Sequence, residues 1–160
     1  MIEEGDTAPS FELPSTTGGN DTLDGLLDSG TLVLLFNRGT WCSYCAEQLQ
    51  AFSALEYDLW RHHGTRVVGL TGDPVPANRQ MQDRFDLSVP LLSDTGLEVS
   101  AEYVGIEENQ SHGDIPFAAT FIIDADRTVQ YAHHAENAAD RTYANYARHF
   151  IKSGYERPYA

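Results

Sequence analysis

The run Thr31-Leu32-Val33-Leu34-Leu35-Phe36 is unbroken by charge and apolar from Leu32 onward. It lacks the polar-apolar alternation of a half-exposed strand, so it reads as a strand covered on both faces. The period then changes. Leu49, Phe52, Leu55 and Leu59 recur at helical spacing, with Glu47, Gln48, Gln50 and Asp58 largely on the other side. That amphipathic helix should end near His62-His63-Gly64, since histidine in a last turn and glycine just beyond suit a helix C-terminus.

Similar signals continue on both sides. Upstream, Phe11-Glu12-Leu13 reads as a short edge strand limited by Pro9 and Pro14. Thr22-Leu23 should pair back on it after a polar turn, and Leu26-Leu27 should pack a helical turn. Downstream, Arg66-Val67-Val68-Gly69-Leu70-Thr71 predicts a second buried strand, followed by a helix over 77–85 with Met81 and Phe85 in the core. Val89-Pro90-Leu91-Leu92 is a short strand or edge segment. Ser93-Asp94-Thr95 offers N-caps for a helix through Val99 and Tyr103. Residues 105–115 are polar and read as loop. Strands are expected at 120–123 and 128–132, antiparallel because only a tight turn joins them. A closing helix over 138–151 should turn Tyr143, Ala147, Phe150 and Ile151 inward. The order predicts an α/β fold, a mixed central sheet with helices on both faces. A chain of 160 residues fits one domain, 1–160.

Charge changes the picture more than composition does. There are 24 acidic residues against 10 basic ones, a net charge of −14, and Lys152 is the only lysine. So acidic a surface repels nucleic acid and anionic membranes, so neither is an expected partner. It resembles the surfaces of proteins from salt-loving organisms; an ordinary acidic cytoplasmic protein is the alternative. Residues 1–6 show no basic segment leading into an apolar one, and no apolar run approaches the length of a membrane span. The expectation is a cytoplasmic protein whose thiols are kept reduced.

The only cysteines, Cys42 and Cys45, sit where the buried strand gives way to the helix. A helix N-terminus carries unpaired N–H groups and about half a positive charge, which stabilises a thiolate. A redox pair is the reading this junction favours. An inert core pair and a zinc site are the alternatives; zinc wants four ligands, and His62-His63 and His133-His134 are adjacent doublets without ligand spacing. Cys42 lies nearer the helix end and is expected to attack. Cys45 falls toward the apolar stripe and is expected to be the more buried, resolving thiol.

Trp41-Cys42-Ser43-Tyr44-Cys45 resembles the Trp-Cys-x-x-Cys centre of thioredoxins. The wider chain is more similar to the peroxiredoxin-like AhpC/TSA redoxin family of the thioredoxin fold. The resemblance is carried by Gly5-Asp6-Thr7-Ala8-Pro9-Ser10-Phe11, Asn37-Arg38-Gly39-Thr40-Trp41-Cys42, Asp73-Pro74 and Ala119-Thr120-Phe121-Ile122-Ile123-Asp124. It implies a thiol-dependent peroxidase that reduces hydrogen peroxide or organic hydroperoxides through a Cys42/Cys45 couple. The couple would be reset by a thioredoxin-like or small-thiol donor. A thiol-disulfide oxidoreductase acting on disulfide substrates, without peroxidase activity, is the alternative, and a redox-inert binding module is a third. No organic cofactor and no metal are implied.

The chain also departs from the family pattern. Arg38 and Cys42 stand where peroxiredoxins carry the proline and threonine of their motif, a register that puts Cys45 in the place of their attacking cysteine, against the assignment of that role to Cys42. Ala118 stands where they carry an arginine and thioredoxins a cis-proline; the nearest proline is Pro116. Arg38 is the nearest substitute for that arginine, or pairs with a carboxylate. Thr40, Trp41 and Tyr44 flank the pair. His112 could approach the thiols but is expected to be exposed, as are His133 and His134. Asp73 reads as a loop cap.

Overall fold

The computed structural model describes residues 1–157. Its elements are β1 (Glu12–Pro14), β2 (Asn20–Thr22), α1 (Leu23–Leu26), β3 (Leu32–Phe36), α2 (Ser43–His63), β4 (Arg66–Thr71) and α3 (Val75–Phe85). They continue with β5 (Leu91–Ser93), α4 (Glu98–Tyr103), β6 (Ile106–Asn109), β7 (Gly113–Pro116), β8 (Ala119–Ile123), β9 (Val129–His134) and α5 (Ala144–Lys152).

The central sheet runs β5-β4-β3-β8-β9. Strands β3, β4 and β5 are parallel, whereas β8 is antiparallel to β3 and β9 antiparallel to β8. β3 lies in the middle with every residue buried, as its unbroken apolar run requires. Alternate side chains feed two cores. Leu32, Leu34 and Phe36 pack with Leu23 and Leu26 of α1 and Val99 and Tyr103 of α4. Val33 and Leu35 pack with Leu49 and Phe52 of α2, Met81 of α3 and Phe150 of α5. This is a thioredoxin-like α/β fold, with helices on both faces of a mixed sheet.

α2 stops at Gly64, which adopts φ +59 and donates its N–H to the Trp60 carbonyl. A Cβ there would lie 2.7 Å from the Ser29 carbonyl oxygen, so both conformation and space demand glycine. Among the described residues no helix is long and apolar enough to cross a membrane.

Four expectations change. Residues 105–115 are not loop: β6 and β7 form a hairpin, whose few apolar positions gave no alternating signal. α5 begins at Ala144, and Tyr143 is 81% exposed rather than inward; 138–143 form an irregular arm held by side-chain bonds. Gln48 is buried at 6% and not on the outer face of α2. His133 and His134 are half-buried: His133 Nε2 pairs with Asp140 Oδ1 at 2.9 Å, and His134 Nε2 with the Ile2 carbonyl at 2.8 Å.

Candidate redox site

The change from β3 to α2 occupies residues 37–42, and other elements hold this short link from two sides. The Thr40 N–H donates to Asp73 Oδ2 at 2.9 Å, and the Asp73 N–H donates to Thr71 Oγ1 at 3.0 Å. Asp73 therefore does cap a loop, but the cysteine loop, across the β3–β4 pair. On the other side the β6–β7 hairpin makes two contacts. Arg38 Nη2 donates to Glu107 Oε2 at 3.0 Å, and the His112 ring stacks on Trp41 with centroids 3.6 Å apart. The Arg38 guanidinium also sits 5.2 Å from the Trp41 ring. His112 is exposed, as expected, and touches the motif through Trp41. Gly39 leaves room for the indole in this position, since a Cβ there would lie 2.3 Å from its Nε1.

Cys42 is the N-cap of α2 and both its sulfur and that of Cys45 are free thiols. The Cys45 N–H, one of the orphan donors of the first turn, points at Cys42 Sγ at 3.3 Å. Cys45 Sγ accepts the Arg38 N–H at 3.4 Å. So Arg38 serves the pair through its backbone, while its guanidinium is committed to Glu107.

The guanidinium that reaches the sulfurs is Arg141. Its Nη2 lies 3.7 Å from Cys42 Sγ and 3.5 Å from Cys45 Sγ. It comes from the arm before α5, nearly a hundred residues along the chain, and sequence reasoning missed it. No local pattern could have singled it out: a lone arginine in a polar stretch reads as a solvated side chain. The arm is pinned at several points. Asp140 accepts from the Glu136 N–H at 2.9 Å besides pairing with His133. Arg141 Nε donates to the Ala138 carbonyl at 3.0 Å. Buried Gln48 donates to the Thr142 carbonyl at 3.0 Å, and Thr142 Oγ1 meets the Tyr131 hydroxyl at 2.9 Å.

The two thiols are thereby pushed apart in acidity. A hydrogen bond from the Cys45 thiol, the Cys45 N–H and the nearby Arg141 and Arg38 charges pull Cys42 down to about 6, against the opposing effect of burial. Burial is the main influence on Cys45 and pushes its thiol up, as does its hydrogen bond to Cys42. Cys42 is the sulfur held as a thiolate and Cys45 the one held as a thiol. That is the arrangement of a nucleophile and a resolving partner.

The remaining predicted neighbours divide. Tyr44 is half-exposed and, with Tyr143, edges a groove of about 240 Å³ that runs past Arg141. Pro116, paired with Ile106 at the end of β7, and Ala118, whose carbonyl accepts the Ala135 N–H at 3.0 Å, offer the sulfurs no polar group. Among the described residues no three Cys, His, Asp or Glu side chains are placed to share a metal ion.

A family model described as the AhpC/TSA family matches residues 4–132. Chloroplastic peroxiredoxin Q from Oryza sativa subsp. japonica is 27% identical over 130 residues, which cover 81% of this chain and 58% of that relative. The chain thus spans under three fifths of the length of its peroxiredoxin Q relatives. Thiol-disulfide oxidoreductase ResA from Geobacillus kaustophilus is 28% identical over 131 residues, covering 81% of this chain and 68% of ResA. Among solved structures, peroxidoxin BcpB from Mycobacterium tuberculosis superposes with a TM-score of 0.83 at 28% identity, covering 96% of this chain and 98% of BcpB. Mycobacterium tuberculosis AhpC, at 0.82 and 19% identity over 100% of this chain and 97% of its own, shares the fold.

Proposed function

The chain belongs to the AhpC/TSA family, and from that premise we propose that it is a thiol-dependent peroxidase working through a Cys42/Cys45 couple. The observation that carries the reading is the Cys42 sulfur at the α2 N-cap, served by the Cys45 N–H and the Arg141 guanidinium. The Cys42 thiolate attacks the terminal oxygen of a hydroperoxide. The O–O bond breaks, the peroxide's proton leaves with the departing oxygen as water or an alcohol, and Cys42 is left as a sulfenate that takes a proton from solvent. Cys45 then loses its proton and attacks the Cys42 sulfur, expelling water and forming a disulfide. An external dithiol, thioredoxin-like or small, restores both thiols. Substrates in this reading are hydrogen peroxide and organic hydroperoxides. The acidic surface suits a cytoplasm rich in salt.

A second reading has one specific observation behind it. A Cys-x-x-Cys pair with its first sulfur at the helix N-cap also suits exchange with protein disulfides, and ResA is among the relatives. Peroxide consumption and insulin disulfide reduction, measured side by side with dithiothreitol as regenerant, separate the two. The proposal expects rapid, Cys42-dependent peroxide loss. Insulin reduction with no peroxide loss above the dithiothreitol background would replace it with the oxidoreductase reading.

A further inference from the structure

We propose that Arg141 is the peroxide-binding residue of this chain, and that the 138–143 arm delivers it. This rests on the peroxidase reading above. The family's usual arginine position is held by Ala118, whose side chain carries neither donor nor charge, so a guanidinium at the sulfurs comes from elsewhere in the chain. Arg38 is the nearer candidate in sequence but not in the site. Its guanidinium is divided between Glu107 and the face of Trp41. Arg141 instead places Nη2 within 3.7 Å of both sulfurs. Its other terminal nitrogen, Nη1, is buried and has no hydrogen-bond partner among the described residues. Buried donors are nearly always paired, so an unpaired one on the guanidinium whose Nη2 reaches both sulfurs marks an acceptor that is not always there. A hydroperoxide lying over Cys42 supplies one.

The planar fork of a guanidinium makes the two roles simultaneous. Nη2 holds the sulfur that attacks, while Nη1 donates to the oxygen that departs and gains negative charge as the O–O bond lengthens. That second bond strengthens toward the transition state, where it accelerates the step. The arm gives the geometry its stiffness: Nε is tied to the Ala138 carbonyl, and the flanking residues Asp140 and Thr142 are tied to His133, Gln48 and Tyr131. Arg141 also lies outside residues 4–132, the stretch matched by the family model.

Arg141→Gln, Arg141→Lys and Arg38→Gln test this. Each is checked for an unchanged circular dichroism spectrum. Two rates are then measured on the reduced proteins: oxidation by hydrogen peroxide, and alkylation by iodoacetamide at a pH where Cys42 is fully ionised. Alkylation needs the thiolate but no donor to a departing peroxide oxygen. Arg141→Gln should slow peroxide oxidation by about 100- to 1,000-fold, the cost of removing one preorganised transition-state donor. Its alkylation should change far less. Arg141→Lys should keep alkylation and recover only part of the peroxide rate, since a single ammonium cannot serve both atoms. Parallel losses in the two reactions, or a larger peroxide loss in Arg38→Gln than in Arg141→Gln, overturn the assignment. A wild-type protein that does not consume peroxide at all overturns the peroxidase reading itself, which is a different result.

Discussion

The acidity of Cys42 can be tested most sharply below neutral pH. Cys45→Ser isolates Cys42 and leaves a hydroxyl able to donate the hydrogen bond that the Cys45 thiol makes. Lowering a thiol from about 8.5 to about 6 raises its thiolate fraction at pH 7 from about 3% to about 90%. The same shift weakens the thiolate as a nucleophile, by about 13-fold for a Brønsted slope of about 0.45. The two effects nearly cancel at pH 7, where the net gain over an ordinary thiol is only about twofold. At pH 5 the thiolate fraction differs by about 300-fold, and a net advantage of about 20-fold survives. Iodoacetamide rates across pH 4–9 should therefore rise with a midpoint near 6 in native Cys45→Ser and near 8.5 in urea. Cys45→Ala should titrate higher than Cys45→Ser, because its side chain donates nothing. In Cys42→Ser, buried Cys45 should stay slow at neutral pH. A native midpoint near 8.5 in Cys45→Ser, or a fast thiol near pH 6 in Cys42→Ser, would refute the reasoning. The linkage has a definite sign: a depressed thiol stabilises the fold fully above about 8.5, and the contribution is lost as pH falls through about 6.

Other consequences are as direct. Gln48→Ala leaves the buried Thr142 carbonyl without its donor, costing about 1–3 kcal/mol and lowering the melting temperature by about 2–4 °C for each; an unchanged melt would show that the arm is held without it. Asp73→Ala removes the carboxylate that accepts the Thr40 N–H, and urea titration should show a loss of about 1–2 kcal/mol for this half-exposed, charge-assisted bond; an unmoved midpoint would mean the cysteine loop does not need that cap. If the net charge of −14 is an adaptation to salt, melting temperature should climb from low to molar potassium chloride as the screening length shrinks to about 3 Å; a flat or falling series would contradict it.

The parts of this molecule legible in sequence are those set by local rules. Leu32 to Phe36 could hardly be anything but a central strand. The histidines and Gly64 fixed the end of α2, and the cysteines fell at its start. What escaped was set by distant partners. Ile106-Glu107-Glu108-Asn109 carries too little apolar alternation to announce a strand, and only its pairing with β7 makes it one. Gln48 looks like an outward helix residue until Thr120 and Thr142 are brought over it. The arm at 138–143 has helical composition yet bends around Asp140 and Arg141, because their side chains are engaged by His133 and the sulfurs. The acidity order of the cysteines was legible from the helix end; the guanidinium that reinforces it was not.

The central claim is that Cys42 is oxidised first by peroxide and Cys45 resolves it. Intact-mass analysis after one equivalent of hydrogen peroxide, with dimedone present, tests it in wild type, Cys45→Ser and Cys42→Ser. The account predicts an intramolecular Cys42–Cys45 disulfide in wild type, a dimedone adduct on Cys42 in Cys45→Ser, and an almost unreacted Cys42→Ser. Two free thiols persisting in wild type, or an adduct forming on Cys45 in Cys42→Ser while Cys45→Ser stays reduced, would contradict it.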